Sequence, residues 1–145
     1  MITFTYELTR STARKCAIAG GNEMVSSNDR LNPHAKADLC AHLRKLSKEL
    51  GIETLSKMEF KQFTKENPCY IGVIVHPPTK RRMDAINWYP TVKPIIDGLT
   101  DAGVFEDDND KIITSMTFVP GMVTDNKKYR FEIIIREGVD EKWRT

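Results

Sequence analysis

Two groups of residues have the chemistry to act on a charged substrate. Asp84 follows a basic knot, Lys80-Arg81-Arg82, and an acidic run, Glu106-Asp107-Asp108-Asn109-Asp110, lies further along the chain. Carboxylates brought together repel one another unless a cation neutralises them. Oxygen donors without His or Cys favour Mg²⁺ or Mn²⁺ over zinc. Such an ion suits phosphoryl transfer, because it lowers the pKa of a bound water and stabilises charge on the scissile phosphate. The acidic run also reads as a plain polar turn, since Asp and Asn favour such loops. It is a poor EF-hand: no Gly stands at the sixth position, and Ile112-Ile113 interrupts the ligands. Lys93 and Asp97, four apart, read as a surface ion pair on a helix.

The charge pattern fits the same chemistry. Lys and Arg number 22 against 20 Asp and Glu, a net charge of +2, yet the charges are segregated. Residues 9–48 carry eight bases, among them Arg10, Arg14, Lys15, Arg30 and Arg44, against three acids; residues 97–110 carry six acids and no base. A basic footprint is what a polyanion binder needs, and clustered oxygens are what a cation site needs. Each run also reads as a solvated face. With 29% charged residues and no apolar stretch longer than residues 71–75, the chain is not expected to meet a membrane. No apolar segment follows a basic start, so a cytoplasmic location is expected. Cys16, Cys40 and Cys69 are scattered and odd in number, which points to reduced thiols rather than a disulfide or CxxC metal site.

The elements that must position these residues follow from periodicity. Residues 2–8 alternate apolar and polar, a strand with one buried face. Residues 9–33, rich in Ser, Asn and Gly, read as a long basic loop or arm. Residues 34–50 form a helix with Leu39, Leu43, Leu46 and Leu50 in one stripe, capped by Asn32, started by Pro33 and ended by Gly51. A short helix is expected over residues 56–63. The run 69–76, largely β-branched, reads as a central strand stopped by Pro77-Pro78. A second helix spans 90–102, with Val92, Ile95, Ile96 and Leu99 on one face and Gly103 as its stop. Pro94 is expected to push its start downstream or kink it. Strands at 112–119 and 129–136 flank a turn at 125–128. The order β-loop-α-β-α-β-β is that of a single α+β domain, residues 1–145, with two main helices on a mixed sheet. Asp84 and the Asp107-Asp108 pair are separated by a helix of roughly 20 Å, so they meet only if the flanking loops fold back along it.

These residues, taken in order, resemble the RusA family of Holliday-junction resolvases of bacteria, phages and prophages. The resemblance is carried by Lys80-Arg81-Arg82-Met83-Asp84-Ala85-Ile86-Asn87, then Lys93, Asp97-Gly98-Leu99, Ala102-Gly103-Val104 and Asp107-Asp108. The family pattern is basic residues, Asp-x-Asp-Asn, a Lys, an Asp one helical turn later, a Gly and a paired Asp-Asp. Asn28-Asp29-Arg30-Leu31 also looks like the start of phage-type members, so the likeness covers about residues 26–136. It implies a homodimer that resolves four-way DNA junctions by paired symmetric cuts with Mg²⁺ or Mn²⁺. It implies Asp84, Asp108 and Lys93 as catalytic residues, and Asp84, Asp107 and Asp108 as metal ligands with Asn87 beside them. Lys80, Arg81, Arg82, Arg30 and Arg44 are the expected DNA contacts. The chain departs from the pattern twice: Ile86 stands where many members have a second Asp, and three extra residues separate Asn87 from Lys93. The Ile86 departure supports a second reading, a catalytically weak or inactive junction-binding protein. Trp88 reads as core or interface packing, or as a stacking platform for an unpaired base.

Overall fold

The computed structural model describes residues 1–11 and 21–143. Four strands form one mixed sheet: β1 (Ile2–Leu8), β2 (Cys69–His76), β3 (Ile113–Pro120) and β4 (Tyr129–Glu137), in the spatial order β1-β4-β2-β3. β4 runs antiparallel to both β1 and β2, whereas β2 and β3 are parallel. The parallel pair needs a crossover, and α2 (Tyr89–Asp101) supplies it. The expected α+β class and element order hold. Strict alternation in β1 buries Ile2, Phe4, Tyr6 and Leu8, which join Ile71, Val73 and Val75 of β2 and Phe131, Ile133 and Ile135 of β4 in one core. Among the described residues no helix is long and apolar enough to cross a membrane.

Both helices cover that one face. The first helix, α1 (Pro33–Ser56), starts as expected: Asn32 Oδ1 accepts from the Ala35 N–H at 2.8 Å, and Pro33 occupies the first turn. It does not end at Gly51 but continues to Ser56. Gly51 is selected by proximity rather than by a left-handed turn, because a Cβ there would stand 2.7 Å from Ala102 Cβ. Gly98 of α2 is tighter still, 2.3 Å from the Arg44 carbonyl by the same measure. The helices therefore touch backbone to backbone. Ser47 crosses the seam by donating to the Ile95 carbonyl at 2.7 Å and bonding Tyr6 Oη at 2.8 Å.

The expected helix over 56–63 is absent. Phe63 instead bridges Phe105: its N–H donates to the Val104 carbonyl, and its carbonyl accepts from the Glu106 N–H. Nor does Pro94 delay the second helix, which begins at Tyr89 after a 3₁₀ turn at Ala85–Trp88. Thr91, fully buried, fixes that first turn by accepting from the Val25 N–H at 2.8 Å and donating to its carbonyl at 2.7 Å. At the far end α2 stops as expected. Gly103 (φ 91°) closes a Schellman motif through Gly103 N–H to the Thr100 carbonyl and Val104 N–H to the Leu99 carbonyl.

The expected arm at 9–33 is described in part. Arg14, Lys15 and Cys16 lie outside the described residues. What is described has no helix or strand after β1, yet residues 22–26 are largely buried rather than extended into solvent. Arg10 is not a free surface cation: both its terminal nitrogens bond the Asp29 carboxylate, at 2.6 and 2.7 Å.

Candidate functional site

β2 delivers the chain to Pro77-Pro78, the basic loop at 80–82, and Asp84, which precedes the 3₁₀ turn. The Asp84 side chain is 57% exposed, and the cation beside it is Arg82 Nη2 at 4.0 Å, on a side chain itself 92% exposed. Its carbonyl accepts from the Asn87 N–H. At the other end of α2 the acidic loop is fixed on both sides. Phe63 holds Glu106, and the Asn109 carbonyl accepts from the N–H groups of Ile112 and Ile113 as β3 begins. Within the loop, Asp107 accepts from the Asp108 N–H at 2.7 Å and from Asn109 Nδ2 at 3.3 Å, a local turn network.

Lys93 joins the helix to this loop. Its Nζ donates to Asp97 Oδ1 at 2.8 Å, the expected i, i+4 pair, and also to Asp108 Oδ2. Partial burial pulls the Lys93 pKa down, but the hydrogen bonds to Asp108 and Asp97 outweigh it, and the ammonium is held charged above its ordinary range. The hydrogen bond from Lys93 in turn holds the Asp108 carboxyl below the usual carboxylate range.

Three adjoining hollows connect these groups. One of about 400 Å³ is lined by Asn28, Arg81, Arg82, Asp84 and Asn87, with Trp88 and Tyr129 also on its wall. A second, of about 700 Å³, shares Asp84 and Asn87 and is otherwise mostly apolar, with Ile86, Phe118 and Trp143. The third, about 220 Å³, holds Lys93, Asp108 and Asp110, and shares Ser115 and Met116 with the second. Asp84 and Asp108 thus lie along one continuous surface, with Ser115 of β3 in the wall between their hollows. The Ser115 hydroxyl oxygen is buried and has no hydrogen-bond partner among the described residues.

The expected metal set is therefore not assembled: Asp84 and Asp108 line separate hollows that share Ser115 and Met116, and Asp107 lines neither. Among the described residues no three His, Cys, Asp or Glu side chains come together as a ligand group, and Lys93 already neutralises Asp108. The donor chemistry fits a hard cation: the carboxylates lining these hollows offer oxygen donors, Asp84 is open, and Ser115, whose buried Oγ has no partner among the described residues, lines both hollows. Asn87, the expected neighbour, lines both hollows that Asp84 lines. Ile86, at the position where the pattern has Asp, is 66% exposed and lines the middle hollow.

The expected DNA contacts divide. Lys80, Arg81, Arg82 and Arg30 are exposed. Arg44 is already bound bidentately to Asp101, Nε to Oδ2 at 2.6 Å and Nη2 to Oδ1 at 2.8 Å, which raises its pKa. Trp88 is packed rather than open: it is 7% exposed, its ring centroid lies 5.0 Å from that of Tyr129, and the Arg10 guanidinium sits 5.2 Å from its centroid. Neither Ser115 nor the Arg10–Asp29 pair is signalled by the sequence. No local spacing reveals either, since both depend on which strand and loop the fold places beside Asp84 and Asn87. In comparisons with known proteins, no family model matches the chain and no curated protein is significantly similar to it.

Proposed function

We propose that the protein is a divalent-metal-dependent endonuclease that cuts four-way DNA junctions as a homodimer. The observation that carries the reading is the continuity of the hollows: an open carboxylate, Asp84, lines one with exposed Arg81 and Arg82 and another that shares Ser115 and Met116 with the hollow of the Lys93–Asp108 pair. Arg81 and Arg82 would bind backbone phosphates beside the cut, positioning the strand without reading its bases. Asp84, with Asp108 or Asp107 across the Ser115 wall, would hold Mg²⁺ or Mn²⁺. That ion, when bound, supplies a water of lowered pKa and neutralises charge on the scissile phosphate. Lys93 is poised to stabilise negative charge on the phosphate or the departing oxygen. Two opposed cuts in a pseudo-two-fold junction need two sites related by the same symmetry, which a C₂ dimer supplies.

The test is a cleavage gel on a synthetic labelled junction, with and without Mg²⁺ or Mn²⁺. The expected result is metal-dependent nicks placed symmetrically about the crossover. A second reading, a junction-binding protein with little or no cleavage, is favoured by exposed Ile86 at the Asp position of the pattern. Binding without nicks in either metal would select it. Failure to bind junction DNA at all would overturn both.

A further inference from the structure

The turn at residues 26–29 is held more firmly than a connection requires. Its backbone closes through Asp29 N–H to the Ser26 carbonyl at 3.0 Å, and Asp29 Oδ2 accepts from the Ser26 N–H at 3.0 Å. The Asp29 side chain is only 1% exposed, so its charge is out of water and is met by Arg10, which also donates to the Met24 carbonyl. Burying a charge is tolerated when it is paired and hydrogen-bonded, and such a pair fixes geometry more than it adds stability. Arg10 is in turn seated against Trp88.

The turn fixed in this way is attached to the candidate site. The Ser27 N–H donates to the Asn87 carbonyl at 2.8 Å, and Ser27 Oγ donates to Asn87 Oδ1 at 3.1 Å. With Oδ1 engaged, the Asn87 amide has its Nδ2 donors left for the hollows it lines. Asn28, at the exposed tip of the turn, lines the same hollow as Arg81 and Arg82. The hollow is thus lined by two cationic side chains and two neutral amides as well as by the Asp84 carboxylate; cations and amide donors together suit a phosphodiester oxygen.

We infer that the 26–29 turn is one jaw of a clamp that grips a DNA backbone phosphate between Asn28 and Arg81-Arg82, with Asp29 as the positioning residue that holds the jaw. The inference rests on the proposed function and adds a wall that carries no net positive charge. It is tested by anisotropy of a fluorescein-labelled four-way junction in EDTA, where cutting cannot contribute. Asn28→Ala is expected to weaken binding about three- to tenfold, the range for removing one ordinary hydrogen bond at a solvent-exposed position. Asn28→Asp is expected to weaken it further by placing a carboxylate against the phosphate. Asp29→Asn should weaken binding in the wild-type background and have little added effect alongside Asn28→Ala, because it acts through the jaw. Equal losses in both backgrounds would make Asp29 merely structural and remove it from the clamp. If Asp29→Asn fails to fold, the exposed Asn28 variants decide alone: wild-type affinity in both overturns the clamp while leaving junction binding intact. A wild-type protein that binds no DNA overturns the parent reading and the clamp with it.

Discussion

Asp84 and Asp108, which line hollows that share Ser115, have opposite electrostatic surroundings. Asp84 is open to water, and a solvated arginine stands 4.0 Å from it. Asp108 is a partner in a three-residue cluster, sharing the Lys93 ammonium with Asp97. One carboxylate is therefore available to an incoming cation or phosphate-bound ion, while the other must first be shared or released by Lys93. The two aspartates, interchangeable by residue type, therefore differ in what they can take up: Asp84 has an open carboxylate, and Asp108 has one already shared with an ammonium.

The largest effect is expected from Asp84→Asn. The substitution preserves shape and removes the open negative ligand, so cleavage should fall on the order of a thousandfold. Junction affinity should hold or tighten, because repulsion towards phosphate is reduced. An exposed side chain outside the core should leave stability within about 0.5 kcal/mol. Junction gels and thermal melts check both, and wild-type cutting would remove Asp84 from the chemistry.

Lys93→Ala tests the other side. Removing an interaction made in the transition state should cost about a hundredfold in rate, whereas an exposed ion pair is worth about 0.2–1 kcal/mol of stability and nothing in rate. A large loss of cleavage with little change in melting temperature is expected. The reverse pattern would make Lys93 a structural tie between α2 and the acidic loop.

What was legible in the sequence was what is local. Asn32 and Pro33 start α1, Gly103 ends α2, and alternation marks β1, because each rests on a few consecutive residues. Gly51 misled for a physical reason: a glycine chosen to let Ala102 approach looks the same in sequence as one chosen to stop a helix. Phe63 is held by Phe105 in a bridge between distant segments, so its own stretch could not announce it. The site divides in the same way. Asp84 and the Asp107-Asp108 pair stand out by chemistry and the Lys93–Asp97 pair by helical spacing, whereas a catalytic role for Lys93 is implied only by the family likeness. The Lys93–Asp108 contact and the Arg10–Asp29 pair depend on loop folding. Arg10, in the basic run 9–48, and Arg44, among the expected DNA contacts, are bound to Asp29 and Asp101.

That division yields a smaller, graded prediction about DNA. Removing Arg81 and Arg82 together should flatten the slope of log affinity against log salt by about two units, near one for each phosphate that is no longer neutralised. Arg44→Ala should leave the slope unchanged, since its guanidinium is already neutralised by Asp101. Salt titrations of junction binding separate the two, and equal slopes for all three proteins would end the distinction between free and engaged arginines.

The smallest effect concerns acid stability and tests the Asp108 surroundings directly. Lys93 holds the Asp108 carboxyl below its ordinary value when folded. A carboxyl depressed on folding contributes stability in full above its unfolded pKa of about 3.9, and loses it as pH falls through the lower folded value. Lys93 has the opposite sign: its raised pKa contributes in full below its unfolded value of about 10.4 and fades only in strong alkali. In acid, then, Asp108 is the member of the pair that titrates. Asp101 and Glu7 are also depressed, by Arg44 and by Asn126 with Arg130, so the useful quantity is the stability gap between wild type and Asp108→Asn, from which they cancel. That gap should be constant from about pH 5 to neutrality and should narrow as pH falls below about 4. High salt should shrink it throughout, because the pair is partly exposed to solvent. Urea melts at stepped pH measure it, and a gap that stays constant down to the lowest pH would show that Lys93 does not hold Asp108 in solution.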